Sequence, residues 1–353
     1  MKKLLKKHPR MIALLFGCAV LIFMFVCGEI ACWLLNIGTI HKAMENGPSN
    51  IEIHDPTHYQ DRDSFGIRHD TPGFHHVQAF HPKTIEPIFD IHHSTDQFRR
   101  RVTPVNPRSE REKFAIFMGC SFTYGYGVNG NETFPYYFGQ AANEFTPYNY
   151  GFGGLGPFDF LAMLENYDFS SEIKSKNGVL VYLFIDPHIE RTIGSLVCLL
   201  WMKNAVYYEE VSRGIFKRRG TFESGRFFTN IFYKLLLKSR LFKASGMDIP
   251  PAITKGHIAL TARVIEAMNR EFKKKYPKGT FYFVISPNSL YGPKVGSFLK
   301  TSGIQIIDFS NLFDSGGPQF RLRGDGHPSP LAYQLLGKAL AERIAKDSSH
   351  IQN

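Results

Sequence analysis

Residues 113–127 read KFAIFMGCSFTYGYG: an apolar run from Phe114 to Met118, then Gly119, Cys120, Ser121, and further glycines at Gly125 and Gly127. A short apolar run bounded by glycine has the pattern of a buried strand. A serine placed directly after it, in a turn that glycine permits, is presented at the top of a sheet. There its hydroxyl can reach a substrate, and its own backbone N–H can help hold an oxyanion. Read alone, the same letters also describe a plain strand-to-helix loop in which Ser121 caps a helix.

Outward from this stretch, strand-like runs recur at Tyr148 to Tyr150, Val179 to Ile185, Phe281 to Ile285 and Ile304 to Ile307. Helix-like stretches lie between and after them, near Phe134 to Asn143, Pro157 to Tyr167, His257 to Lys275 and Pro330 to Ala345. This alternation predicts an α/β domain over 113–347, a parallel sheet covered by helices on both faces, with reactive groups at the carboxyl ends of the strands. Residues 195–246 break the alternation with an aromatic and basic segment that includes Tyr207, Lys217, Arg218, Arg226 and Phe227. It reads as an insertion that either caps a substrate cleft or forms a decorated surface helix pair or a face resting near a membrane.

Two further stretches fall at strand ends or helix starts. Residues 149–156, NYGFGGLG, offer bare glycine backbone that can approach an oxyanion closely and donate an N–H. No acidic residue follows at the place a dinucleotide site needs one, so this is not a GxGxxG cofactor loop. Residues 324–330 read GDGHPSP, in which Ser329 as N-cap and Pro330 at the first helical position account for a helix start. They leave His327 unexplained. A histidine held ahead of a helix, with Asp325 two residues upstream, has what a general base needs: the carboxylate fixes the ring's tautomer and stabilises the imidazolium while the other nitrogen takes a proton from a serine. The plain alternative is an exposed turn with a solvated Asp and His.

Taken together, GCSFTYG at 119–125, NYGFGG at 149–154 and DGH at 325–327 resemble, in their order, the blocks of the SGNH, or GDSL-like, hydrolase superfamily. The resemblance covers roughly 113–347 and implies a three-layer, flavodoxin-like α/β fold. It also implies Ser121 as nucleophile, His327 as general base, Asp325 as its orienting partner, and the N–H groups of Ser121 and Gly154 as parts of an oxyanion hole. Three departures stand out. Cys120 occupies the place where the family often has Asp. Asp325 and His327 are separated by one residue instead of two. The third block, LFIDPHIER at 183–191, has no Asn, and a carboxylate from Asp186 there would repel an oxyanion. We therefore expect His188 to supply the missing donor; the bland reading pairs Asp186 with Arg191 and leaves His188 as a loop cap. Cys120 itself should point into the sheet, as free cysteines commonly do, leaving serine as the nucleophile.

Toward the amino terminus, Met11 to Gly28 contains no charge, and the apolar character continues to Leu35. A helix over Met11 to Leu35 covers about 37 Å at about 1.5 Å per residue, enough to cross a hydrocarbon core of about 30 Å. Lys2, Lys3, Lys6, Lys7 and Arg10 precede it, which puts the amino terminus on the cytoplasmic side and the rest outside, which is the periplasm if the source is a Gram-negative bacterium. The length of the run and the lack of a small-residue cleavage site favour an uncleaved, single-pass anchor over 1–37 rather than a secretory signal. Residues 38–112 carry nine of the 14 histidines and alternate at Phe74 to Phe80 and Ile88 to His92, which reads as a small β-rich extension. His75, His76, His92 and His93 match no zinc spacing, so no metal or cofactor is expected.

The 353 residues are 43% hydrophobic, an ordinary globular composition that excludes disorder or a bare coiled coil. The net charge is +11, but five of the positive charges lie in the amino-terminal tail, and what remains is too modest for a nucleic-acid binder. The expected function is a membrane-anchored serine esterase acting on an acyl ester, with acylated envelope carbohydrate as a substrate by analogy. The alternatives are an O-acyltransferase of a surface polysaccharide and a catalytically silent SGNH-like protein that binds a glycan or an assembly partner.

Overall fold

In this computed structural model, residues 9–42, 52–54, 60–80, 86–105 and 111–351 are described; Lys2, Lys3, Lys6 and Lys7 of the basic tail lie outside them. Twelve strands are defined among the described residues. The first five are short or exposed on one face: β1 (Glu52–His54), β2 (Gln60–Arg62), β3 (Arg68–Asp70), β4 (Gly73–Phe80) and β5 (Pro87–Thr95). The remainder are β6 (Lys113–Met118), β7 (Phe145–Asn149), β8 (Gly178–Phe184), β9 (Val206–Ser212), β10 (Ile215–Thr221), β11 (Thr280–Ile285) and β12 (Gln305–Asp308).

The central sheet runs β12-β11-β8-β6-β7, and all four of its pairings are parallel. Its middle strands are apolar along nearly their whole length, because helices cover both faces and no position meets water. Every residue of β8 after Gly178 is buried, as is every residue of β6 after Lys113. The helix Pro330–Ile351 seals one face with Tyr333, Leu336, Leu340, Ala341 and Ile344, which join Phe117, Phe134, Phe138 and Val181 in one core. Burying one such side chain contributes about 1.5–3 kcal/mol. The helices Pro157–Asn166 and Lys255–Lys275 pack against each other and bury Phe160, Leu161, Val264, Ile265 and Met268. The α/β expectation and its parallel sheet hold, with element ends moved by a few residues.

The β-rich extension is a three-stranded antiparallel sheet, β1-β4-β5, beside a β2-β3 ladder. In β4 and β5 burial alternates along the chain, as expected of a sheet with one covered face. That face, Val77, Ala79, Phe89 and Ile91, packs on Tyr126 and Leu322. Both of those residues belong to loops that carry the candidate catalytic groups.

The chain divides into two compact units. Among the described residues, those between 52 and 225 and those from 252 to 351 form the larger one, which contains all twelve described strands. Residues 9–42 and 226–251 form the smaller one. The stretch read from sequence as a single insertion over 195–246 is thus split: β9 and β10 form an antiparallel hairpin in the larger unit, while 226–251 folds with the amino-terminal helix. That helix, Pro9–Leu34, contains a segment, Arg10–Leu34, long and apolar enough to cross a membrane, and its Leu14, Leu15, Phe16, Leu21, Ile22 and Phe23 side chains are exposed.

Candidate active site

β6 delivers the chain straight into Gly119-Cys120-Ser121, and Ser121 opens a single helical turn, Ser121–Tyr124. Gly125 ends the turn in the left-handed region at φ 87°, its N–H donating to the Ser121 carbonyl at 3.0 Å. A side chain on Gly119 would overlap Thr123, so only glycine lets the turn close this tightly. Cys120 is buried and faces the core, as expected.

The second arm is the loop ahead of the Pro330–Ile351 helix. Leu322 N–H donates to the His327 carbonyl at 2.9 Å and Asp325 N–H to the Leu322 carbonyl at 3.1 Å, which curls residues 322–327 into a tight turn. Inside it, one oxygen of Asp325 accepts both the backbone N–H of His327 at 2.9 Å and its ring Nδ1 at 2.5 Å. The other ring nitrogen, Nε2, stands 2.8 Å from Ser121 Oγ. The one-residue separation of Asp and His is therefore bridged, because the turn brings carboxylate and ring onto the same side. Burial of the Asp325 carboxyl disfavours its charge, but the hydrogen bonds from His327 outweigh that cost and hold it below the usual carboxylate range. It is an anion at neutral pH, aimed at the ring.

β7 pairs with β6 so that Asn149 lies opposite Phe117, and the glycine-rich loop leaves the sheet at the same edge as the serine turn. Phe152 N–H donates to the Gly119 carbonyl at 3.1 Å, and Gly151 lies so close to Thr123 and Tyr124 that a Cβ there would collide with both. Asn149 ties the two loops by donating to the Thr123 and Tyr124 carbonyls at 3.3 and 3.2 Å. Gly154 sits at φ 80° against the Trp201 ring, which leaves no room for a side chain.

The third block differs from expectation. His188 is wholly buried, its Nδ1 2.7 Å from the Tyr182 hydroxyl and its ring stacked on that of Tyr182. Burial drives its pKa well down, so it is a neutral core histidine, and it does not supply the oxyanion donor. Asp186 presents no carboxylate to repel an oxyanion either. It turns to the loop after β11, accepting from Ser289 Oγ at 2.5 Å and from the N–H groups of Leu290 and Tyr291 at 2.8 and 3.1 Å. Nor does Asp186 pair with Arg191, which donates to the Leu155 carbonyl at 2.9 Å and stacks on Trp201, bracing the glycine-rich loop.

Several residues that shape the site carry no local sequence signal. Tyr126 and Phe122 flank the His327 ring at centroid distances of 4.6 and 5.4 Å. Arg101, fully buried, donates to the carbonyls of Gly125 at 2.6 Å and Val128 at 2.5 Å, clamping the far end of the serine turn. Below it the Tyr124 hydroxyl meets Asp70 and His93 Nε2, the latter at 2.7 Å. Burial pushes His93 down to about 4 despite the neighbouring carboxylate, so it is neutral. A pocket of about 90 Å³ has Phe122, Gly326, Pro328, Ser286, Phe320 and Leu336 in its wall; neither Ser121 nor His327 lines it. Of the histidines weighed as metal ligands, His76 and His92 join Asp90 on the exposed face of β4 and β5, their ligand atoms within 4.8 Å of one another, and His76 is already hydrogen-bonded to Asp90. His75 and His93 lie buried and stacked at 4.9 Å.

No family model and no curated protein matches the chain. Among solved structures, it is similar to one described as a lipolytic protein of the G-D-S-L family from Desulfitobacterium hafniense DCB-2, with 13% identity and a TM-score of 0.37 over 65% of this chain and 98% of that one. It is also similar to a family two carbohydrate esterase from Clostridium thermocellum in complex with cellohexaose, with 14% identity and a TM-score of 0.40 over 71% and 68% of the two chains. The acetyl xylan esterase Est2A from Butyrivibrio proteoclasticus follows at 12% identity, with a TM-score of 0.37 over 69% and 65%.

Proposed function

We propose that the protein is a serine esterase of the SGNH type, working through an acyl-enzyme. The observation that carries this reading is the unbroken relay from Asp325 through His327 to Ser121 Oγ, at 2.5 and 2.8 Å. Ser121 Oγ attacks the ester carbonyl while His327 Nε2 takes the hydroxyl proton, and Asp325 stabilises the resulting imidazolium. The tetrahedral oxyanion is held by the N–H groups of Ser121 and Gly154. Collapse expels the alkoxide, which takes the proton from His327 and leaves as the alcohol. Water, deprotonated by the same ring, then releases the acid and frees the serine. An acylated carbohydrate is the substrate class we favour.

The Met11 to Leu35 helix anchors the chain in the membrane, amino terminus inside, with the esterase outside. If a sugar hydroxyl in place of water attacks the acyl-enzyme, the same groups perform O-acyl transfer. A silent glycan-binding role is disfavoured by the hydrogen-bonded Ser–His pair, which binding alone does not require. The test is hydrolysis of aryl esters of increasing acyl length and of acetylated oligosaccharides. Wild type should turn over at least one of these esters, and Ser121→Ala should lower kcat/KM by about a thousandfold or more. Equal turnover by Ser121→Ala would remove the proposal.

A further inference from the structure

The smaller unit carries an apolar surface that its fold leaves open. The helix Phe227–Leu236 presents Phe227, Phe228, Ile231, Phe232 and Leu235 along one side, 44–84% exposed, at spacings of one, three and four residues that place them on a single face. Its buried residue is Tyr233, whose hydroxyl donates to the Ile249 carbonyl at 3.1 Å. A contiguous aromatic face of this kind is unusual on a surface that meets only water.

The unit also fixes the depth at which that face would lie. Glu29 is the first charged residue after Met11, and its carboxylate accepts from the Ser239 hydroxyl and from the N–H groups of Arg240 at 3.0 Å and Leu241 at 3.2 Å, capping the helix Arg240–Ser245. Gly28 leaves room for the Leu241 side chain, and Gly38, at φ 68°, for the Arg240 backbone. Lys243 Nζ donates to the Thr39 carbonyl at 3.0 Å. The uncharged run from Met11 to Gly28 is about 27 Å long as a helix, close to the hydrocarbon thickness of about 30 Å. Glu29 therefore falls at the edge of the hydrocarbon, and with it the helix it caps. The Phe227–Leu236 helix is joined to that point by only Leu237, Lys238 and Ser239. Residues 226–251 also hold five basic residues, Arg226, Lys234, Lys238, Arg240 and Lys243, against one acid, Asp248, a balance that suits anionic headgroups.

We propose that the Phe227–Leu236 helix lies in the bilayer interface with its phenylalanine face in the acyl region, a second, monotopic membrane contact held at the right depth by the Glu29 cap. This rests on the reading of the amino-terminal helix as a membrane span. The test is photolabelling of the full wild-type chain in vesicles of phosphatidylethanolamine and phosphatidylglycerol containing a lipid with a diazirine in its acyl chain, followed by peptide mapping. Label per residue on 227–236 should be comparable to that on 11–28. In Phe228→Ser/Phe232→Ser it should fall at least about tenfold, with label on 11–28 unchanged. Label on 11–28 but less than about a tenth as much on 227–236, or cross-linking of 227–236 to a second protein chain in its place, overturns the inference and leaves the span standing. Label on 227–236 alone keeps the surface contact and removes the span; label on neither removes both.

Discussion

A single oxygen of Asp325 does two jobs, holding the backbone of His327 and the Nδ1 of its ring. That double use lets a one-residue spacing position an imidazole, and it makes the carboxylate hard to replace. In Asp325→Asn the amide offers no negative charge to the imidazolium and can stabilise the wrong tautomer, so kcat on an acetyl ester should fall by about ten-thousandfold with little change in KM. Stopped-flow or steady-state kinetics on the purified variant would check this; a loss of less than about tenfold would mean that Asp325 is only a structural anchor. His188 shows the reverse case. Its place beside Asp186 in the chain suggested a donor at the site, but its ring lies in the core against Tyr182. Position along a loop does not tell which side chain turns inward.

At the scale of elements, the β-rich extension acts as a buttress for the serine turn. Arg101 leads into the turn's far end, and replacing it with Met leaves the Gly125 and Val128 carbonyls without their donor. Arg101→Met should cost about 2 kcal/mol in urea denaturation and reduce kcat by about tenfold, since a small shift of the nucleophile is enough to slow attack. His93 adds a pH dependence. Its folded pKa, about 4 through burial, lies below the unfolded value near 6.5, so between these values the unfolded chain binds a proton that the native protein refuses. Its contribution therefore holds above about pH 6.5 and is lost as pH falls toward 4. In His93→Gln, which keeps a donor for Tyr124, the melting temperature should drop less steeply than wild type over that interval; parallel curves would show that His93 does not titrate there.

The same elements show what was readable beforehand. β6, β8 and β11 were legible because a strand buried on both faces is apolar throughout, and β4 and β5 because one covered face imposes alternation. Ser121, Asp325 and His327 are legible only in combination, because each turn has a plainer reading alone and it is their order along the chain that resembles one hydrolase superfamily. Arg101, and the meeting of Tyr124 with Asp70 and His93, were not, because each joins residues 24 to 54 positions apart and leaves no period or spacing in the chain.

Across the whole molecule, the chain divides its tasks between two units, one holding the sheet and the Ser–His–Asp relay, the other the apolar amino-terminal helix and residues 226–251. The split of the expected 195–246 insertion was invisible in sequence, since the bond from Glu29 to Ser239 spans 210 positions. In the first unit, the proposed esterase chemistry requires Ser121 to be an activated nucleophile. Its most direct measurement is fluorophosphonate labelling of the full-length protein, with the adduct mapped by peptide mass spectrometry. Rapid, stoichiometric modification at Ser121, slowed by about a thousandfold or more in His327→Ala, is the predicted result. An unmodified Ser121, or modification that proceeds at the same rate without the histidine, would contradict it.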